Sequence, residues 1–132
     1  MLYFAYGSNL SHKQMRRRCP GFIFLEAATL HNYELQFDGY SKQWQGAVAN
    51  AVPKVGSLVR GGLFEITPAH LDSLDKYEGS KYTRQELAVE RDNGQFTEAI
   101  VYLRSPLKIG TPSKEYLEVI ESGRKDCRIV AG

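Results

Sequence analysis

The residue best suited to act as a catalytic group is Glu78, which lies in the segment 75–79 (DKYEG) at the end of a predicted helix. The C-terminal end of a helix carries partial negative charge, so a carboxylate there is mildly disfavoured and its pKa is raised. Asp72 and Asp75 in the same helix act on that pKa in the same direction. A carboxylate with a raised pKa is suited to general-base work near neutral pH, although a glutamate at a helix end is more commonly a solvated charge.

A second candidate is the turn Tyr6-Gly7-Ser8-Asn9-Leu10, which joins a short apolar strand to a helix. Consecutive backbone N–H groups at such a strand-to-helix turn form a concave cluster of donors that can hold a carboxylate or a phosphate. The same residues are compatible with a plain β-turn in which the asparagine adopts a left-handed conformation. The turn therefore indicates an anion site only where other residues support it.

Basic and aromatic residues supply weaker candidates. The run Arg16-Arg17-Arg18 could bind phosphate, but it is more typical of a solvated helix face whose cations favour the negative end of the helix dipole. Trp44, Tyr82 and Tyr116 form an aromatic set, and most tyrosines in such a chain are packing residues with a hydrated hydroxyl. The sequence contains no Ser-His-Asp order, P-loop or G-x-G-x-x-G motif, which excludes the commonest hydrolase and nucleotide-binding templates.

Composition excludes several further classes of protein. The 132 residues carry 17 Lys+Arg and 15 Asp+Glu, a net charge of +2, whereas a nucleic-acid-binding domain is expected to be strongly basic. Cys19 and Cys127 form no CxxC motif and the three histidines lack i, i+4 spacing, so we expect no metal site, cofactor or disulfide framework. No apolar run reaches the roughly 18 residues of a membrane span, and residues 1–8 lack the features of a signal peptide. A cytoplasmic protein without nucleic-acid or membrane partners is expected.

The elements that must position the candidate residues follow from apolar spacing and turn signals. Six strands are predicted, over residues 2–5, 33–38, 47–52, 58–66, 82–91 and 95–103. The last two flank Asp92-Asn93-Gly94, a strong hairpin signal. Three helices are predicted, one capped by Ser11 and stopped at Cys19, one running from Thr67 to Gly79, and one running from Ser113 to Glu121 and closed by Gly123.

Particular residues mark where these elements begin, bend or end. Ser11 and Gln14 match a capping box, in which the Gln14 side chain reaches back to the cap. Pro53 is expected to end the third strand. The adjacent Gly61 and Gly62 inside the next strand suggest a bulge, a tight bend or a close backbone approach.

The order of the elements, β-α-β-β-β-α-β-β-α, places most strands next to each other in sequence with short connections. This order predicts an α+β fold, a small mixed and mainly antiparallel β-barrel-like sheet with flanking helices. No repeat, linker or low-complexity tract divides residues 1–132, so we expect a single domain.

Four short motifs, taken in order along the chain, resemble those of the gamma-glutamylcyclotransferase-like family. They are the strand and YGSNL turn at 3–10, the W-x-G-G-x-A-like stretch at 44–49, the L-D-x-x-E-G segment at 74–79 and the P-S-x-x-Y helix start at 112–116. Ala47 replaces the second glycine of the W-x-G-G-x-A pattern. The resemblance extends over roughly residues 2 to 126 and implies the barrel-like fold of that family.

The resemblance implies a metal-independent enzyme that converts gamma-glutamyl substrates into 5-oxoproline and a free amino acid or amine. The substrate's α-amine attacks its own γ-carbonyl, and a well-oriented intramolecular nucleophile can be worth about 7–11 kcal/mol. The protein must hold the α-carboxylate, deprotonate the α-ammonium group, stabilise the oxyanion and return a proton to the leaving nitrogen. Because an α-amino group has a pKa near 8, a carboxylate of raised pKa can accept its proton.

The resemblance also implies roles for particular residues. Glu78 takes the proton from the α-ammonium group and passes it to the leaving amine. Backbone N–H groups of the early turn bind the glutamyl part of the substrate, its carboxylate or its developing oxyanion; the turn residues are Tyr6, Gly7, Ser8, Asn9 and Leu10. Tyr116 offers its hydroxyl to the substrate, and Tyr82 lines the same pocket.

Other functions are compatible with the sequence. A domain of this fold could bind a small amide or carboxylate without turning it over, because fold alone does not establish activity. A nucleic-acid accessory role would use residues 16–18 with Arg124 and Lys125 and requires strongly salt-dependent binding. Within the enzyme class the leaving group is open, from amino acids to amines, cross-linked lysine and a gamma-glutamyl-protected metabolite. Residues 39–45 and the tail, residues 124–132, are expected to help select it. A monomer and a homodimer are both compatible.

Overall fold

The computed structural model describes residues 1–129, in which five strands form a closed barrel and three helices pack against it. The strands are β1 (Leu2–Ala5), β2 (Ile23–Ser41), β3 (Gly46–Glu65), β4 (Thr83–Arg91) and β5 (Phe96–Leu103). The helices are α1 (His12–Arg18), α2 (Pro68–Glu78) and α3 (Lys114–Asp126), with one turn of 3-10 helix at Ser8–Leu10 before α1. Within residues 1–129, no helix has the length and apolarity needed to cross a membrane.

The strands follow one another around the barrel in the order β1-β3-β2-β4-β5. The pairs β1–β3, β2–β3, β2–β4 and β4–β5 are antiparallel. The barrel closes through a parallel contact of β1 with β5, where Tyr3 lies opposite Ile100. The predicted α+β class and the mixed, mainly antiparallel barrel are therefore confirmed.

One predicted strand boundary is wrong, because β3 runs through Pro53 instead of ending there. The ladder between β2 and β3 is interrupted at this point: Tyr33 pairs with Pro53, Asn32 has a φ of 64°, and residues 54–57 lie outside the paired register. The Asn32 side chain accepts a hydrogen bond of 3.1 Å from the Gly56 N–H group. Proline lacks a backbone donor and is tolerated at such a bulge, so two predicted strands are one bent strand.

The two adjacent glycines of β3 allow a close backbone approach, one of the three options considered for them. A Cβ atom at Gly61 would overlap the carbonyl oxygen of Ala5, and one at Gly62 would lie 2.8 Å from the sulfur of Cys127. β1 and the chain after α3 can therefore pack directly against β3. This contact brings the early turn, which follows β1, against the barrel.

Only one of the two hydrogen bonds of the predicted capping box is present at the start of α1. The Ser11 side chain accepts a hydrogen bond of 3.2 Å from the Gln14 N–H group. The Gln14 side chain does not reach back to the cap; it donates to Ser8 Oγ at 2.7 Å and to Asn9 Oδ1 at 2.9 Å. The capping-box prediction was wrong in this respect, because buried side-chain acceptors in the turn hold the glutamine amide instead. Gln14 thereby fixes the conformation of the early turn.

The other two helices begin at their predicted caps, and one extends further than predicted. α2 has a complete capping box between Thr67 and His70, and Gly79 ends it with a φ of 73°. α3 begins after Ser113 but continues through Gly123 to Asp126, so the prediction that this glycine closes the helix was wrong. A Cβ atom at Gly123 would lie 2.6 Å from the Leu10 Cβ. The glycine lets α3 pack on the early turn instead of ending the helix.

Candidate active site

A cavity of about 520 Å³ lies where the end of β1, the early turn, the β2–β3 turn, the end of α2 and the start of α3 meet. Seven of the eight residues predicted to form a site line this cavity: Tyr6, Gly7, Ser8, Asn9, Glu78, Tyr82 and Tyr116. These residues are separated by up to 110 positions in sequence, and the closed barrel brings them together. The cavity is large enough for an amino-acid derivative with further space beside it.

Leu10 is the predicted site residue that does not line the cavity. Its side chain is fully buried in the hydrophobic core, and its N–H group donates to the Gly7 carbonyl at 3.1 Å. Neither the side chain nor the N–H group of Leu10 is therefore available to a ligand in the cavity. Leu10 anchors the turn to the core and to α3, and it does not contact the cavity.

Glu78 lies at the C-terminal end of α2 with its carboxylate in the cavity. Among residues 1–129, no side chain or backbone group makes a hydrogen bond or ion pair with this carboxylate. Burial raises the pKa of Glu78 to about 7, against the opposing effect of the positive charges of Arg18 and Arg104. The direction of this shift agrees with the sequence argument, but its main cause is burial and not the helix end or the neighbouring aspartates.

The early turn presents backbone donors to the cavity. The N–H groups of Leu10 and Ser11 bond inside the turn, to the carbonyl oxygens of Gly7 and Ser8 at 3.1 and 3.0 Å. In the part of the chain that the structure describes, no such bond uses the N–H groups of Gly7, Ser8 or Asn9. These donors belong to residues that line the cavity, so they are available to an acceptor bound there.

Two tyrosine hydroxyls flank the backbone of Ala49 at the cavity wall. Tyr82 donates to the Ala49 carbonyl oxygen at 2.8 Å, and the Ala49 N–H group donates to the Tyr116 hydroxyl at 2.8 Å. Burial raises the pKa of Tyr116 to about 12 and raises that of Tyr82 further, so both hydroxyls stay protonated near neutral pH. Since the Tyr116 oxygen accepts from Ala49, its own proton can be donated to a ligand.

A buried ion pair that no sequence pattern indicated contributes one of its members, Arg104, to the cavity wall. The Arg104 guanidinium pairs with the Asp38 carboxylate, and these side chains are 4% and 0% exposed. Asp38 also accepts hydrogen bonds from Gln36 at 2.6 Å and from Asn50 at 3.2 Å. The Arg104 guanidinium carbon lies 4.8 Å from the centre of the Tyr82 ring, a cation–π contact that holds this ring in the cavity wall. No sequence signal identified it, because Asp38 and Arg104 are 66 positions apart.

The third arginine of the basic run is also part of the site, contrary to prediction. Arg16 and Arg17 are exposed, as a solvated helix face requires, but Arg18 is only 9% exposed and lines the cavity. Its Nη1 atom donates to the Asn9 Oδ1 atom at 3.0 Å. Spacing offered one usable signal: Gln14 and Arg18 are four residues apart, so both lie on the helix face that meets the turn.

The β2–β3 turn, one of the two segments expected to select the leaving group, forms one side of the cavity through residues 40–44. Of the tail, residues 124–129 do not line the cavity, and residues 130–132 lie outside the described residues. The Trp44 ring packs against the Tyr116 ring with a centroid distance of 5.0 Å. Lys42 and Lys81 are exposed residues that also line the cavity. The outer part of the cavity is therefore aromatic and basic.

Neither cysteine offers a nucleophile, and the described residues hold no cluster suited to a metal. Cys19 and Cys127 are free, buried thiols, and burial raises their pKa values to about 11 and about 12. Over residues 1–129, no group of three His, Cys, Asp or Glu side chains is arranged to hold a metal ion. The reactive groups that face the cavity are therefore the carboxylate, the hydroxyls, the guanidinium groups and the backbone donors described above.

Comparison with known proteins finds relatives of this chain in one family. A family model described as "Gamma-glutamyl cyclotransferase, AIG2-like" matches residues 3–124. The proteins named gamma-glutamylcyclotransferase of Mus musculus and Bos taurus are 32% and 33% identical to this chain, in alignments that cover 95% of it and 70% of each relative. A solved structure named gamma-glutamyl cyclotransferase superimposes with a TM-score of 0.92 at 29% identity, over 98% of this chain and 80% of that one. The chain belongs to the gamma-glutamyl cyclotransferase, AIG2-like family.

Proposed function

We propose that this protein is a gamma-glutamylcyclotransferase-type enzyme, which releases 5-oxoproline and a free amino acid or amine from gamma-glutamyl substrates. One observation carries the proposal: a carboxylate without protein partners, Glu78, lines the same cavity as the unused N–H groups of the early turn. The names of the relatives from mouse and cattle support the same reaction class. The proposed reaction needs no metal and no cofactor.

The proposed mechanism begins with proton transfer from the α-ammonium group of the substrate to Glu78. The free α-amine then attacks the γ-carbonyl carbon, which forms the ring C–N bond and a tetrahedral oxyanion. When the oxyanion collapses, the bond to the leaving nitrogen breaks. That nitrogen takes the proton held by Glu78 and the surplus proton of the ring nitrogen, so the amine leaves as an ammonium ion and the lactam is neutral. The pKa of about 7 suits both transfers, because a base and an acid in one cycle work best near the ambient pH.

The other cavity residues have supporting roles in this proposal. The turn residues Tyr6, Gly7, Ser8 and Asn9 surround the glutamyl part of the substrate, and their N–H groups stabilise its carboxylate or its oxyanion. Tyr116 donates its hydroxyl proton to the substrate. The Tyr82 hydroxyl is already engaged with Ala49, so its role is to shape the wall through its ring.

The proposal is tested by incubating the purified protein with a small panel of gamma-glutamyl compounds and detecting 5-oxoproline by mass spectrometry. Gamma-glutamyl-alanine, a gamma-glutamyl alkylamine and ε-(gamma-glutamyl)-lysine together sample the possible leaving groups. The isomer α-glutamyl-alanine is the matched control, because its free carboxyl group is at the γ position. Binding of all three gamma-glutamyl compounds without ring-closed product would favour the alternative, a non-catalytic domain that binds small amides or carboxylates.

The rate of 5-oxoproline release is expected to rise with pH through a midpoint near the pKa of Glu78, about 7. The base must be deprotonated to accept the ammonium proton, so activity is lost on acidification, about tenfold for each pH unit below the midpoint. The measurement is kcat/KM for gamma-glutamyl-alanine between pH 5 and 9. A profile that is flat from pH 5 to 8 would contradict the assignment of a buried carboxylate as the base.

A further inference from the structure

Arg18 is a buried cation without an anionic partner in the described part of the chain. Its side chain makes no ion pair within 4.0 Å, whereas the other buried arginine of the cavity, Arg104, is paired with Asp38. The remaining cations of the cavity, Lys42 and Lys81, are exposed to solvent. A buried charge is costly unless an opposite charge or hydrogen bonds compensate it. Arg18 therefore differs from every other cation of the cavity in being buried without an anionic partner.

The structure holds the Arg18 guanidinium in a fixed orientation. Its Nη1 atom donates to Asn9 Oδ1 at 3.0 Å, and its central carbon lies 4.4 Å from the centre of the Tyr77 ring. Asn9 is itself fixed, since its Oδ1 also accepts from Gln14 at 2.9 Å and its amide nitrogen donates to the Tyr3 hydroxyl at 2.9 Å. A guanidinium held by stacking and by one hydrogen bond is preorganised, and little side-chain entropy is lost when it binds an anion.

Most of the donors on this guanidinium are free to bind a ligand. An arginine side chain has five N–H donors in a planar fork, and only one hydrogen bond from Arg18 is present among residues 1–129. No buried side-chain nitrogen or oxygen in those residues lacks a partner, so the unused nitrogens of Arg18 are accessible from the cavity it lines. This planar fork matches the two oxygens of a carboxylate.

Glu78 does not form an ion pair with Arg18. The two groups affect each other electrostatically, but no atoms of their charged ends approach within 4.0 Å. Burial holds the pKa of Glu78 at about 7, so near neutral pH this carboxylate carries only part of a negative charge. The cavity is thus lined by a cationic fork and by a carboxylate base that is not paired with it.

We propose that Arg18 binds the α-carboxylate of the gamma-glutamyl substrate and of the 5-oxoproline product, with Asn9 and Tyr77 holding its guanidinium in place. This inference rests on the proposed function and assigns the carboxylate subsite of that same cavity. The α-carboxylate and the α-amine share one carbon atom, so anchoring the first places the second beside Glu78. The N–H groups of the turn are then left for the γ-carbonyl oxygen. Substrates whose α-carboxylate is amidated or esterified are excluded.

A cycle of two ligands and three proteins tests this assignment. 5-Oxoproline and 2-pyrrolidinone share one lactam ring and differ only in the carboxylate. Their dissociation constants are measured by titration calorimetry or ligand-observed NMR, at one pH so that the charge of Glu78 is the same for both ligands. The proteins are the wild type, Arg18→Met and the matched control Arg17→Met, which removes an exposed arginine from the same helix.

The wild type and Arg17→Met are expected to bind 5-oxoproline about 10- to 100-fold more tightly than 2-pyrrolidinone, the range of one charge-assisted hydrogen-bonding contact. Arg18→Met is expected to bind both ligands with similar, weak affinity, because only the carboxylated ring loses a contact. If this variant does not fold, Arg18→Lys replaces it, because lysine keeps the charge without the planar fork. The ratio of the two dissociation constants is then expected to fall by about 3- to 10-fold relative to the wild type.

Three results would overturn the assignment: no preference for 5-oxoproline in the wild type, an undiminished preference in the Arg18 variants, or an equal loss of preference in Arg17→Met. The outcomes for Arg18 and for the proposed enzyme can be distinguished. In one outcome, the protein releases 5-oxoproline from gamma-glutamyl-alanine while its preference for 5-oxoproline over 2-pyrrolidinone does not depend on Arg18. That result contradicts only the Arg18 assignment. An Arg18-dependent preference without any release retains the carboxylate subsite and removes the proposed catalysis.

Discussion

Glu78→Gln is expected to lower the turnover of gamma-glutamyl-alanine by at least about 10²-fold while leaving the affinity for 5-oxoproline within a few-fold of the wild type. General acid–base groups contribute about 10²–10⁴-fold to rates, and a neutral amide cannot accept the proton of the α-ammonium group. The substitution is nearly isosteric, and no hydrogen bond or ion pair of the described chain uses this carboxylate. The measurement is kcat by 5-oxoproline release, with calorimetry for the product.

A matched control is available on the same helix. Asp72→Asn removes an exposed carboxylate from α2, and its turnover is expected to equal that of the wild type. Equal turnover in this control also tests the finding that burial, and not a neighbouring aspartate, raises the pKa of Glu78. Near-normal turnover in a folded Glu78→Gln protein would remove Glu78 from the mechanism.

The stability of the Glu78→Gln protein provides a separate check on the burial of this group. The pKa of Glu78 is raised from 4.5 to about 7 by folding, so its ionised form opposes folding. Below pH 4.5 Glu78 is protonated in both the folded and the unfolded protein and does not lower the stability. The free energy of unfolding falls as the pH rises from 4.5 through 7, because Glu78 ionises more readily in the unfolded chain. Replacement by glutamine is therefore expected to stabilise the protein at pH 8, by on the order of 3 kcal/mol, and much less at pH 4.5.

Arg104→Met is expected to lower the free energy of unfolding by about 3–5 kcal/mol at neutral pH, because it leaves the Asp38 carboxylate buried without its cation. Gln36, Asn50 and the Leu107 N–H group still donate to Asp38, but these neutral donors do not replace a charge. The measurement is urea denaturation followed by circular dichroism. The loss of the guanidinium behind Tyr82 is also expected to reduce turnover.

An exposed ion pair of the same barrel serves as the control. Lys54 and Glu34 lie 2.8 Å apart with 59% and 43% of their side chains exposed, so Lys54→Met is expected to change the unfolding free energy by less than about 1 kcal/mol. Similar small changes in both variants would show that the Asp38–Arg104 pair does not hold the cavity wall.

Acid should weaken the same buried pair. Burial acts to raise the pKa of Asp38, but hydrogen bonds from Gln36, Arg104 and Asn50 outweigh it and hold this pKa below its usual value. A depressed pKa means that the stabilisation is present above the unfolded-state value and is lost as the pH falls through the folded-state value. The difference in unfolding free energy between wild type and Arg104→Met should therefore narrow in strong acid.

Features that depend on neighbouring residues were predictable from the sequence. The caps at Ser11, Thr67 and Ser113 and the end of α2 at Gly79 depend on contacts within four residues, and the structure has them where the sequence indicated. The hairpin at residues 92–94 and the antiparallel pairing of β4 with β5 follow from local turn chemistry. Local motifs also identified the family.

Features that depend on distant contacts were not predictable in this way. Pro53 continues a strand because β2 bulges opposite it, and Gly123 continues a helix because α3 packs closely on the early turn. A proline or glycine rule considers only the local backbone, and a partner from elsewhere in the chain can reverse its outcome.

For the site, the sequence by itself determined which residue types are present: a glutamate at a helix end, a turn with free backbone donors and a helix that carries three arginines. Only the tertiary structure decided their environment. It placed the Glu78 carboxylate in a cavity where desolvation raises its pKa, separated Leu10 from the cavity, and turned Arg18 inward while Arg16 and Arg17 stayed in solvent. Burial and charge pairing are properties of a closed three-dimensional surface, to which residues far apart in sequence contribute, and no local pattern encodes them.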